Sequence, residues 1–84
     1  MPKNRDAEKR ALARRDGPAC FYCGRSRKNP LNMTIEHLHA RSHGGSNDIE
    51  NLCLADVLCN KLAGRLSVQA KLELRAKWHA ADGL

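Results

Sequence analysis

Two cysteines separated by two residues, Cys20 and Cys23, sit in a chain of 84 residues whose aromatic side chains number only three: Phe21, Tyr22 and Trp78. A chain this short buries little apolar surface, and its core alone is marginal. It needs a staple, and the cysteines are the means at hand. Cys53 and Cys59 bring their number to four. Two disulfides in a secreted miniprotein are one solution. The N-terminal run MPKNRDAEKRALARR opposes it, being charged throughout with no apolar core of a signal peptide. No run approaches the length of a transmembrane span, so no membrane partner is expected. A reducing cytoplasm is the expected compartment. There a Cys-x-x-Cys turn reads as a metal site, and no thioredoxin-like pattern surrounds this one.

The net charge is +6. Such a balance favours a polyanion as partner, nucleic acid first, although it also lies within the range of ordinary soluble surfaces. Its distribution is more informative. Residues 1–16 carry six basic and three acidic groups, and residues 60–84 carry five and two. Residues 34–59 reverse the sign, with Arg41 against Glu36, Asp48, Glu50 and Asp56. A cation-attracting centre in a basic frame suits an enzyme acting on phosphodiesters. Arg14, Arg15, Arg25, Arg27, Lys28, Arg41, Lys61 and Arg65 are the candidate phosphate contacts.

The pattern predicts a helix over residues 4–15, with Asn4 as N-cap and Gly17-Pro18 as the stop. Its apolar stripe of Ala7, Ala11 and Leu12 is thin, so it packs weakly, lies against DNA or is merely solvated. Strands are expected over residues 33–40 and 51–55. The turn-rich stretch 41–50 separates them, and a helix runs from about Asp56 to Gly64. Residues 67–81 alternate like a strand but consist of helix formers behind the N-cap Ser67. They are read as a helix burying Val68, Leu72 and Trp78. The organisation is then a basic N-terminal helix (1–16), a core (17–64) and a C-terminal helix (65–84).

Zinc takes four soft or borderline ligands in a tetrahedron. Cys20-x-x-Cys23 supplies two, and Asp56-x-x-Cys59 offers two more at the start of a helix. Cys53 competes with Asp56 for the fourth position. It is the softer donor, but it lies inside a strand, and the spacing favours Asp56. A second set lies nearby. His37 is the best candidate base because its ordinary pKa is near neutral. Glu36 and Asn60 offer hard oxygens suited to Mg²⁺ or Mn²⁺. Asn51 is placed to fix the His37 ring. His39 and His43 read as loop residues first and phosphate contacts second.

The segment from Asp16 to Gly64 resembles the HNH endonucleases. The resemblance rests on Asp16-Gly17, Cys20-x-Tyr22-Cys23-Gly24, Ile35-Glu36-His37-Leu38, Ser42-x-Gly44-Gly45, Asp48, Asn51-Leu52, Leu54-Ala55, Cys59-Asn60 and Ala63-Gly64, in that order. It implies an α+β fold of the ββα-metal (His-Me finger) type, stapled by zinc, with flanking helices. It implies His37 as general base, Glu36 and Asn60 as ligands of a catalytic divalent ion, and Asn51 as the residue that orients the His. Two positions depart from the family pattern: Glu36 stands where Asp is commoner, and Asp56 where Cys or His usually binds zinc. The expected activity is hydrolysis of duplex DNA, by nicking or cutting, with modest sequence specificity. A homodimer or a phage packaging or other nuclease partner is compatible with it, in a bacterial host or a phage. The rival is a non-catalytic zinc module binding nucleic acid or protein, which would need the knuckle but neither His37 nor Asn60.

Overall fold

A computed structural model describes residues 5–81. The helix α1 spans Asp6–Asp16. Asp6 and Glu8 lie in its first turn and Arg14 and Arg15 in its last, so the charges complement the helix dipole. The expected N-cap, Asn4, lies outside the described residues. Arg5 holds the cap position with φ 57° and no side-chain cap. Gly17 ends the helix, and its N–H donates to Ala13 O.

Contrary to the expectation of weak packing, α1 is tied firmly into the molecule. Leu12 is fully buried in the core. Lys9 Nζ donates to Leu31 O at 3.1 Å. Arg15 forks across to the second strand region, donating to Ile49 O at 2.9 Å and Leu52 O at 2.8 Å. One large apolar side chain and two long cations thus do what a broad stripe does elsewhere.

The strands β1 (Thr34–His37) and β2 (Leu52–Ala55) pair antiparallel, with Thr34 opposite Ala55, Ile35 opposite Leu54, Glu36 opposite Cys53 and His37 opposite Leu52. Both are shorter than the runs predicted over 33–40 and 51–55. The loop between them takes over from Leu38, and single 3-10 turns at Arg41–His43 and Ile49–Asn51 occupy its ends. Among the described residues these two strands form the only sheet. All of β2 is buried because the sheet is covered on both faces.

The helix α2 (Val57–Ala63) follows β2 and packs on β1, closing a β-β-α unit. The helix α3 (Val68–Ala81) begins after Ser67, whose Oγ accepts from Ala70 N at 3.1 Å. Its inward face is only partly the one predicted: Trp78 packs against the core and Val68 is half-buried. Leu72 is 46% exposed, whereas Lys71 is fully buried. Lys71, Leu74 and Trp78 form the inner stripe, at spacings that share one helix face. The helix is rotated to bring an ammonium, not a leucine, against β1. Trp78 meets Tyr22 edge-on with ring centroids 5.9 Å apart, and Tyr22 meets Phe21 likewise at 5.2 Å. All three aromatic residues therefore join α3 to the cysteine turn, and the core of Leu12, Tyr22, Met33, Leu52 and Leu54 lies beneath. No helix among the described residues is long and apolar enough to cross a membrane.

Candidate metal centres and active site

The first site is built by the turn at residues 18–27 and the start of α2. Ala19 and Ser26 form an isolated antiparallel bridge. Cys20 N donates to Arg25 O at 3.0 Å, and Gly24 N closes the turn onto Cys20 O at 2.9 Å. Phe21 N donates to Leu54 O at 2.8 Å, which fixes the turn on β2. α2 enters directly after that strand. One ligand atom from each of Cys20, Cys23, Asp56 and Cys59 then lies within 4.8 Å of the other three. A zinc–thiolate tetrahedron has edges of about 3.8 Å, so a small contraction closes the set around an ion. The donors fit: three sulfurs and a carboxylate could hold a metal.

Cys53 is not in this cluster. It is buried on β2 with Sγ 3.8 Å from Glu36 O, on the strand neighbouring the ligand pair. Burial, then the charge of Glu36, pushes its thiol up to about 12. The carboxylate of Asp56 is held by a fork from Arg27, with Nε 2.8 Å from Oδ1 and a second bond from the guanidinium to Oδ2. Arg27 is the main reason that the Asp56 carboxyl lies below its usual range. Burial and the neighbouring cysteines push the Cys59 thiol up to about 12. The Cys59 thiol therefore holds its proton at neutral pH, and binding an ion there releases it.

The second set lies along β1 and the loop after it. His37, half-buried at the end of β1, places Nε2 2.7 Å from Asn47 Oδ1. With the amide oxygen as acceptor, Nε2 carries the proton and Nδ1 keeps its lone pair. The expected partner, Asn51, does something else. Its Oδ1 accepts from His39 N at 2.8 Å, and its Nδ2 donates to His39 O at 3.0 Å and Ser46 O at 2.8 Å. Leu38 N also donates to Asn51 O at 2.9 Å. Asn51 thus cross-ties the loop that carries Asn47, and among the described residues it makes no bond to the His37 ring. Its amide satisfies backbone groups on both sides of the hairpin, which leaves none for the imidazole. Gly45 lets the loop fold back on itself. A Cβ there would overlap the carbonyl of His39, and Gly45 N donates to Ala40 O at 3.0 Å.

Glu36 is 5% exposed and opposite in alternation to His37. Its Oε2 accepts from Tyr22 OH at 2.5 Å and lies 3.1 Å from Lys71 Nζ. Burial and the bond to Glu36 raise the Tyr22 hydroxyl far above its ordinary pKa, so it stays a donor. Lys71 Nζ also donates to His37 O at 2.7 Å. Asn60, on α2, donates from Nδ2 to Thr34 Oγ1 at 3.0 Å. Thr34 and Glu36 share a face of β1, so Asn60 is on the Glu36 side. Among the described residues neither Glu36 Oε1 nor Asn60 Oδ1 has a hydrogen-bonding partner, and no buried side-chain oxygen is left unpaired. These two free oxygens, one charged and one neutral, have the donor chemistry that a hard divalent cation takes.

Three contributors escaped the sequence reading: Asn47, Tyr22 and Lys71. Asn47 was visible only as turn chemistry. Lys71 was visible only as a helix former. Of the candidate phosphate contacts, Arg15 and Arg27 are engaged in the internal bonds above. Arg14, Arg25, Lys28, Arg41, Lys61 and Arg65 have exposed positions.

The model of the HNH endonuclease family matches residues 20–65, more than half of the chain. The chain belongs to that family, whose members are nucleases acting on DNA with a divalent metal. No match was found among curated proteins or among solved structures.

Proposed function

We propose that the chain is a metal-dependent DNA endonuclease that hydrolyses phosphodiester bonds of duplex DNA, by nicking or cutting, with modest sequence specificity. The observation that carries this is the placement of His37: half-buried at the end of β1, with Nε2 2.7 Å from Asn47 Oδ1 and no hydrogen-bonding partner at Nδ1 among the described residues. In this reading His37 Nδ1 takes the proton of an attacking water. Asn51 keeps the loop, and through Asn47 the ring, in register. Glu36 Oε1 and Asn60 Oδ1 hold Mg²⁺ or Mn²⁺. Such an ion supplies charge stabilisation to the departing oxygen. Cys20, Cys23, Asp56 and Cys59 hold a structural zinc. Arg14, Arg25, Lys28, Arg41, Lys61 and Arg65 take the phosphate backbone. The whole chain acts as one nuclease domain.

A plasmid-nicking assay tests the proposal. Supercoiled plasmid should open with Mg²⁺ or Mn²⁺ and remain closed with EDTA. His37→Ala should slow the reaction by about two or more orders of magnitude, the scale of losing a general base. Its zinc content and DNA affinity should stay those of the unmodified protein. Nicking by His37→Ala at a near-normal rate would remove His37 from the mechanism.

A further inference from the structure

Glu36 and Lys71 are the buried charged residues among those described, and Lys71 has no exposed surface at all. A lysine is almost never buried without a partner. Lys71 has two acceptors, and they belong to consecutive residues. Its Nζ is 3.1 Å from Glu36 Oε2 and 2.7 Å from His37 O. Tyr22 OH donates to the same Glu36 oxygen at 2.5 Å. Both donors therefore converge on Oε2, and Oε1 is left without a partner among the described residues. Lys71 lies on α3, beyond the matched segment of residues 20–65.

A leucine or methionine at position 71 would continue the stripe of Leu74 and Trp78 and pack as well. Such a replacement would leave the Glu36 carboxylate buried beside Tyr22 alone. The ammonium costs a long side chain its freedom and its water. It is placed at the one carboxylate buried among the described residues, beside the backbone of His37.

We infer that Lys71 is a positioning residue of the nuclease site: its ammonium holds Glu36 Oε2 inside the protein, leaves Oε1 facing outward, and competes electrostatically with a divalent ion for the carboxylate. The inference rests on the proposed role of Glu36 as an ion ligand. It makes the demand of the site for free metal a property of α3. A purely structural ion pair would make a different prediction, because its loss can only harm the site. A competing resident cation, once removed, must leave the carboxylate a stronger ligand.

Mn²⁺ binding to the zinc-loaded full-length chain, followed by the electron paramagnetic resonance of free Mn²⁺, separates the two. Lys71→Met should bind Mn²⁺ about tenfold more tightly, and Lys71→Arg should bind as the unmodified protein does. Glu36→Gln should weaken binding about tenfold and abolish the effect of Lys71→Met. Unchanged or weaker binding by folded Lys71→Met overturns the inference, even if the protein nicks DNA normally. Normal binding by Glu36→Gln overturns it together with the ligand role of Glu36. Failure to nick, with the tightening intact, overturns the proposed activity alone. Should Lys71→Met not fold, the ¹⁵Nζ resonance of Lys71 in the unmodified protein decides. It should shift on titration with Mg²⁺, and a resonance that stays still overturns the inference.

Discussion

At the scale of single residues, Asp56 lies in two settings that its position in the sequence only half reveals. The two-residue spacing to Cys59 marked it as a ligand candidate, and its carboxylate does lie with the three thiols. Its partner Arg27 reads in the sequence as a phosphate contact. The two are 29 residues apart, and no local pattern links them. Replacing Asp56 with Cys supplies a softer donor, so Asp56→Cys should raise zinc retention against a chelator and raise the melting temperature. Cys53→Ser should change zinc retention little, since that thiol faces the Glu36 carbonyl. Loss of zinc in Cys53→Ser but not in Asp56→Ala would exchange their roles. The ion pair also sets an acid limit. Arg27 lowers the folded pKa of Asp56 below its ordinary 3.8. Its contribution to stability is therefore complete above that value and is lost as pH falls through the lower folded pKa. Denaturant midpoints of the protein and of Arg27→Gln should differ at neutral pH and converge in strong acid. Arg27 is 41% exposed, so added salt should narrow the neutral-pH difference.

At the scale of elements, the order helix, knuckle, strand, loop, strand, helix, helix was legible, because turn residues and short apolar runs are local signals. The face of α3 was legible only at Trp78. Its composition fixed the helix, but an alternating run of Leu and Ala gives no single apolar stripe. The rotation is decided by Glu36 and by the Tyr22 and Phe21 rings. Arg75 illustrates this: its Nε donates to Phe21 O at 2.8 Å and its guanidinium lies 4.6 Å from the Phe21 ring. The loop between the strands was legible as turn chemistry but not as a scaffold for the His37 ring. Gly45 makes that scaffold testable. Gly45→Ala has to push the His39 carbonyl away, so the cross-ties of Asn51 should break. Nicking should fall severely while zinc stays bound, because the loop is separate from the knuckle. Unimpaired nicking by Gly45→Ala would show that the ring does not depend on the loop.

At the scale of the whole molecule, charge and anchoring must be distinguished. Removing residues 1–15 would take away candidate phosphate contacts, but also Leu12 and the Arg15 fork. Loss of DNA binding in such a truncation would therefore report unfolding as much as electrostatics. Single substitutions of exposed cations avoid this. Arg14→Ala, Lys28→Ala and Arg65→Ala should each weaken DNA binding about equally for all sequences. Each should also reduce the slope of log affinity against log salt by about one. An unchanged slope would place that side chain off the DNA path. The burial of Lys71 has a consequence for how the chain is made. During synthesis the Glu36-His37 strand leaves the ribosome well before Lys71 does. Until α3 follows, the carboxylate of Glu36 must be buried without its cation or remain in water, and Trp78 is not yet there to cover Tyr22. The nascent chain therefore carries every residue of the matched motif without the means to close the site around them. Ribosome-stalled chains ending shortly after Gly64 should not nick DNA, whereas chains held further along, with α3 outside the exit tunnel, should. Cleavage only at the second stalling point would mean that the cell meets the proposed nuclease in working form only once α3 has left the ribosome.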